Sequence, residues 1–195
     1  MSAPVLQPPS KREAQVVPNV SWEQFEAIER SFDSIPGVKF RYLDGALEIM
    51  PVSPEHEDFK STIVRLLEVF MDEKNIRYYK RGGPSLGDRS LGARNEPDES
   101  YNLETRKPYP DLVIEVVITS GGVDKLEGYR RLGVTEVWFG EDGVFEFYRL
   151  RDGQYIKLDH SELLAELPID LFCRYITYFD QHDAAREFRN ALRAS

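Results

Sequence analysis

The sequence predicts a mixed α/β domain (α/β or α+β), with a mixed central β-sheet flanked by helices. Three observations predict it. Apart from one glutamate, the run 112–118 is wholly Leu, Val and Ile, as a strand covered on both faces requires. A helix over about 123–132, ended by Gly133, and a strand over 134–139 follow, so strand, helix and strand form a right-handed βαβ unit. Upstream, an Asp-Gly dipeptide between two apolar runs marks a hairpin, and a long amphipathic helix succeeds it.

The elements follow in order. Residues 1–19 hold four of the twelve prolines and read as a flexible tail, leaving 20–195 as one domain. Ser21 and Gln24 have capping-box spacing, and Trp22, Phe25 and Ile28 then recur at helical intervals, giving a helix over 22–31. The hairpin pairs 40–43 with 46–50 across Asp44-Gly45. Ser53-Pro54 supplies a cap and a first-turn proline, and Phe59, Ile63, Leu66, Leu67 and Phe70 form one apolar face of a helix reaching about 74. A strand over 76–80 leads into an aperiodic stretch, 81–96, rich in Gly, Arg and Ser, which reads as a functional or mobile loop. A short strand over 99–103 precedes the βαβ unit, and a meander through 144–150 and 155–158 follows it. Helices over about 162–176, broken near Pro168, and 181–193 close the chain.

Composition narrows the setting. The chain has 195 residues, 41% hydrophobic and 12% aromatic, enough for a real core and against intrinsic disorder. Cys173 is the single cysteine, so no internal disulfide and no zinc cluster of cysteines can form. No apolar run approaches the roughly 20 residues of a membrane helix, and the first twenty residues do not read as a secretory signal. The expected location is therefore cytoplasmic, with no membrane partner. A net charge of −9 argues against generic coating of nucleic acid.

One residue breaks the apolar pattern. Glu115 lies inside the most strand-like run, where a carboxylate is costly unless paired or metal-bound. The ordinary reading is a buried salt bridge. Asp98 begins the preceding strand, and if the two strands pair, both acids converge at one point. Two carboxylates, a backbone carbonyl and waters form a hard-oxygen cage suited to Mg²⁺. Lys125 follows on the next helix, where an ammonium can steady a water or a phosphate oxygen. Glu48 in the hairpin and His56 in the first turn of the long helix are further candidates for ligand or proton carrier. Lys80, Arg81, Arg89 and Arg94, interleaved with glycines, form a candidate phosphate clamp, with a solvated loop as the plain alternative. The meander can leave an open sheet edge, which a homodimer would use.

Pro97-Asp98, Glu115 within Leu-Val-Ile-Glu-Val, and Lys125 together resemble the PD-(D/E)xK nuclease superfamily. More closely, the chain is similar to the Uma family of bacterial endonucleases. The stretches that carry this are Tyr42-Leu-Asp-Gly-Ala-Leu-Glu-Ile-Met50, Ser53-Pro-Glu-His56, Pro97-Asp-Glu-Ser-Tyr101, Pro110-Asp-Leu-Val-Ile-Glu-Val-Val117, Thr119-Ser-Gly-Gly122, Asp124-Lys125 and Leu132-Gly-Val-Thr-Glu-Val-Trp138. The resemblance runs from about 20 to 180. It implies a restriction-endonuclease-like core and a phosphodiesterase site dependent on Mg²⁺ or Mn²⁺, acting on nucleic acid, DNA before RNA. It also implies Asp98 as the first motif acid and Glu115 as the second. Val117 stands where the superfamily pattern has lysine, so Lys125 has to reach back from the helix. An inactive nucleic-acid or protein binding module on the same fold, and a hydrolase of small phosphate esters, are the rival readings.

Overall fold

The computed structural model describes residues 14–32, 35, 37–117, 124–141 and 143–194. Two sheets are present among them. The smaller is built on the predicted hairpin: β2 (Val38–Leu43) and β3 (Ala46–Pro51) pair antiparallel, with Leu43 opposite Ala46. Asp44 and Gly45 take φ of 45° and 88°, the two positive angles that a tight two-residue hairpin turn needs. β1 (Gln15–Val17) adds to one edge beside β3, so the stretch expected to be a free tail is tied down over these residues. Residues 1–13 lie outside the described part.

The other edge of this sheet departs from expectation. The stretch 81–96 is laid against the hairpin instead of standing free: β5 (Ala93–Arg94) pairs with β2, and Leu86 bridges Asn95. A single 3₁₀ turn at Arg89–Leu91, capped by Asp88, gives the stretch its shape. No apolar period signals this, because the pairing is made by backbone groups. The hairpin thus has a sheet of its own, apart from the mixed central sheet that the sequence predicts.

The larger sheet is mixed and has six strands, in the order β10-β9-β8-β7-β6-β4. β4 is Tyr78–Lys80, β6 Glu99–Leu103, β7 Leu112–Val116, β8 Glu136–Glu141, β9 Val144–Arg151 and β10 Gln154–Leu158. β7 and β8 are parallel, joined across α3 (Lys125–Leu132), as the predicted βαβ unit requires. The expected continuation of β7 through Ile118, with Thr119-Ser120-Gly121-Gly122, lies outside the described residues. β10 forms one edge, as the meander reading expects.

Helices cover both faces of this sheet. α2 (Pro54–Glu73), α4 (Ile169–Ile176) and α5 (Gln181–Ala194) pack on one side, where Ile63, Leu66, Phe70, Phe172 and Phe188 bury Leu112, Ile114 and Trp138. α3 covers the other side, with Tyr129 and Leu132 on Val113 and Val137. α1 (Trp22–Ser31) carries the complete capping box, with both reciprocal Ser21–Gln24 bonds present. Its Trp22 and Phe25 pack on Phe40, Tyr42 and Leu47, the outer face of the hairpin. The hairpin's other face is polar: Lys39 and Arg41 alternate with Phe40 and Tyr42, so they point away from α1 and toward the large sheet. No described helix is long and apolar enough to cross a membrane.

Candidate functional site

The site forms where the hairpin's polar face meets the ends of β6 and β7. These strands pair antiparallel, with Glu99 opposite Ile114. Carrying that register one residue further sets Asp98 opposite Glu115, on one face and as near neighbours. The convergence expected from the sequence follows from this pairing.

Asp98 is buried and accepts from three sides. Lys39 Nζ lies 2.5 Å from Oδ1. Oδ2 accepts the Val116 main-chain N–H at 2.6 Å and lies 3.1 Å from His56 Nε2. Burial opposes its charged form, but the His56 bond and the charges of Lys39, His56 and Lys125 outweigh burial. They hold the carboxyl well below the usual range. Glu115 is equally buried. Its Oε1 accepts from Arg41 at 2.9 Å and from the Tyr129 hydroxyl, while Oε2 is 3.2 Å from Lys125 Nζ. Burial again works against ionisation, and the charges of Lys125 and Arg41 reverse it, so Glu115 is also held low.

Arg41 is the residue that the sequence reading missed. Its side chain is 1% exposed and all its nitrogens are used: Nε donates to Asn95 at 3.1 Å, one terminal nitrogen to Glu48 at 3.0 Å and the other to Glu115 at 2.9 Å. A signal was available. The tight Asp44-Gly45 turn fixes the register, and that register places Arg41 directly opposite Glu48. Lys39 is reachable by the same logic, two residues along the same face. Tyr129 lies in the core beneath α3 and sends its hydroxyl to Glu115.

The candidates divide clearly. Asp98, Glu115, Lys125 and His56 line one small cavity of about 40 Å³ with Lys39 and Arg41. That exceeds what a single water needs. His56 is held between Asp98 and Glu57, whose Oε1 lies 3.2 Å from Nδ1. Burial disfavours a charged ring, but the bond and charge of Asp98 prevail, and the imidazole is pushed up from its ordinary value. Glu48 stands one step back, reaching the site through Arg41, and its Oε1 is buried without a hydrogen-bond partner. Val117 lines a separate hollow with Phe139 and Glu141.

The four basic residues are not gathered at the cavity. Lys80 pairs with Glu68 at 3.1 Å, and Arg81 donates to Asn102 and to the Lys107 carbonyl. Arg89 meets Glu23 at 2.6 Å, and Arg94 lies over the Trp22 ring. Each is engaged within the protein. Lys80 and Arg89 are the more exposed, and Arg94 is a bracket between α1 and β5.

Among the described residues, no group of three His, Cys, Asp or Glu side chains is placed to hold a metal. Two ionised carboxylates do face one cavity, and each has one oxygen held by a lysine rather than by a buried donor. Hard oxygens of this kind suit Mg²⁺ or Mn²⁺, with water completing the shell. The residues fit on condition that the lysines yield.

No protein of curated function matches the chain. Among solved structures, it is similar to the crystal structure of a "putative nuclease belonging to DUF820" from Anabaena variabilis ATCC 29413. Identity is 14% over 76% of this chain and 90% of that one, with a TM-score of 0.43. Residues 22–174 match the family model described as "Uma2: Putative restriction endonuclease", which spans most of the chain and both acids of the site. The chain belongs to the Uma2 family.

Proposed function

We propose that the protein is a metal-dependent endonuclease that hydrolyses phosphodiester bonds of nucleic acid, with DNA as its substrate. The observation that carries this reading is the placement of ionised Asp98 and Glu115 on adjacent strands, with the Lys125 ammonium 3.2 Å from Glu115 at the same cavity. Asp98 and Glu115 would hold Mg²⁺ or Mn²⁺, which supplies charge for the phosphate and acidifies a water.

The remaining chemistry belongs to the chain. Arg41 and Tyr129 fix one oxygen of Glu115 and so aim the other into the cavity. Lys125 brings a positive charge to where negative charge develops in phosphoryl transfer. His56 keeps a proton at Nε2, facing Asp98, and through Glu57 connects the cavity to the surface. Lys80 and Arg89 are the residues of the basic set best able to exchange a carboxylate partner for a phosphate.

The test is cleavage of DNA and RNA by the purified chain with Mg²⁺ or Mn²⁺, alongside Glu115→Gln. Metal-dependent cleavage of DNA, abolished in the variant, is expected. Absence of cleavage on either polymer, with metal affinity unchanged in Glu115→Gln, rejects the reading. One observation favours a second one: both oxygens of each acid already have protein partners. A binding module that has lost turnover would show tight, salt-sensitive nucleic-acid binding and no cleavage with any divalent ion.

A further inference from the structure

The two acids share one pattern of partners. On Asp98, Oδ2 is fixed by the Val116 main chain and by His56, whereas Oδ1 takes Lys39. On Glu115, Oε1 is fixed by Arg41 and Tyr129, whereas Oε2 takes Lys125. The fixed sides are backbone and buried side chains. The lysine side chains are 20% and 16% exposed, and both line the cavity. An ammonium on a flexible four-carbon stem can withdraw toward solvent without disturbing the sheet. Two ammonium groups also carry the charge of one divalent ion. Withdrawal of Lys39 alone offsets half of that charge, which lowers the electrostatic cost that otherwise opposes placing an ion here.

We propose that Lys39 is a second lysine of the site, a positioning residue that occupies Asp98 Oδ1 in the metal-free protein and is displaced by the divalent ion. The inference rests on the metal-dependent reading above and adds to it. Lys39 comes from β2, on the hairpin sheet, while Asp98, Glu115 and Lys125 belong to the β6–β7–α3 segment. The hairpin therefore sets the metal affinity of acids it does not carry. Lys39 also donates toward the Pro97 carbonyl at 3.4 Å, so its head group is registered on the turn that presents Asp98. Metal affinity is weak as a result when no nucleic acid is present.

The test is Mn²⁺ binding to the full chain, followed by the electron paramagnetic resonance of free ion without nucleic acid. Lys39→Met should bind Mn²⁺ about tenfold more tightly than wild type, since one charge-assisted bond no longer has to be broken. Lys39→Arg, which keeps the charge, should restore wild-type affinity. Asp98→Asn and Glu115→Gln should each weaken binding about tenfold or more. If those two lose Mn²⁺ while Lys39→Met binds as wild type or more weakly, the role of Lys39 is overturned and the metal reading stands. If Asp98→Asn and Glu115→Gln bind as well as wild type, the metal reading falls and this inference with it. Thermal melting checks folding, and Lys39→Gln, read by the same criterion, serves if Lys39→Met does not fold.

Discussion

Arg41→Met isolates the bridge between the two sheets. The wild-type guanidinium is fully buried and joins Asn95 at 3.1 Å, Glu48 at 3.0 Å and Glu115 at 2.9 Å. Methionine fills much of the volume but returns none of the three bonds. Glu48 then has no donor among the described residues for either oxygen, while Glu115 keeps Tyr129 and Lys125. Removing one partner of a buried pair costs about 3–5 kcal/mol, because the other charge stays desolvated. For a chain of this size that is a fall in Tm of about 6–20 °C. The effect is separable from simple loss of packing by adding Glu48→Leu. The double variant removes the stranded acid and should recover at least ~1 kcal/mol of the loss. Urea unfolding at pH 7 of the wild type, both single variants and the double variant supplies the cycle. A single-variant cost below ~1 kcal/mol, or a double variant no more stable than Arg41→Met, refutes the reasoning.

Three further predictions follow from the same geometry. Gly128→Ala places a methyl 2.4 Å from Asn95 Nδ2 and 2.7 Å from Oδ1. Asn95 is buried and held by Arg41, so the clash of about 1–3 kcal/mol outweighs the ~1 kcal/mol helical gain; a rise in Tm by calorimetry contradicts this. His56 has a folded pKa above its ordinary 6.5, so its contribution is full below about pH 6.5 and fades as pH rises through the folded value. Asp98 and Glu115, both lowered, contribute above about pH 5 and lose that contribution as pH falls. Urea midpoints of wild type and His56→Gln should therefore converge as pH rises above about 6.5, and a constant gap would discount the imidazolium. Charge reversal at Lys80 and Arg89 should weaken nucleic-acid binding and flatten its salt slope by about one per lost phosphate contact; fluorescence anisotropy at several salt concentrations decides.

Periodicity made most of the elements legible. The capping box at Ser21, the turn at Asp44-Gly45 and the apolar face of α2 are local signals, and each element lies within a few residues of its expected place. The division into two sheets was not legible, because nothing local tells which sheet a hairpin joins. β5 was invisible for a related reason: its pairing with β2 is made by backbone groups without an apolar pattern. In the site, the strand acid drew attention to Glu115 because desolvation makes it conspicuous. The same criterion applies to Glu136, which is just as buried. There, Trp138 Nε1 at 2.7 Å and the Glu162 and Leu163 main-chain N–H groups satisfy the carboxylate, and it only ties the strand to the chain after β10. What separates the two acids is the cavity, which only tertiary structure supplies. Arg41 went unread because an arginine in a hairpin is ordinarily a solvated residue, and its burial depends on the second sheet.

The bond from Val116 N–H to Asp98 has a consequence for how relatives should be compared. It is found where the β6–β7 register runs on to Pro97, and the side chain accepts the main-chain proton. Asp98 is thus a member of the sheet as well as of the site. Any substitution of Asp98 by a non-acceptor leaves that main-chain N–H unpaired, and any neutral substitution of Glu115 leaves the buried Arg41 guanidinium one counter-charge short. An aspartate at this place in a homologue is a record of folding. Neither acid of the site is therefore, in a homologue, a reporter of chemistry alone.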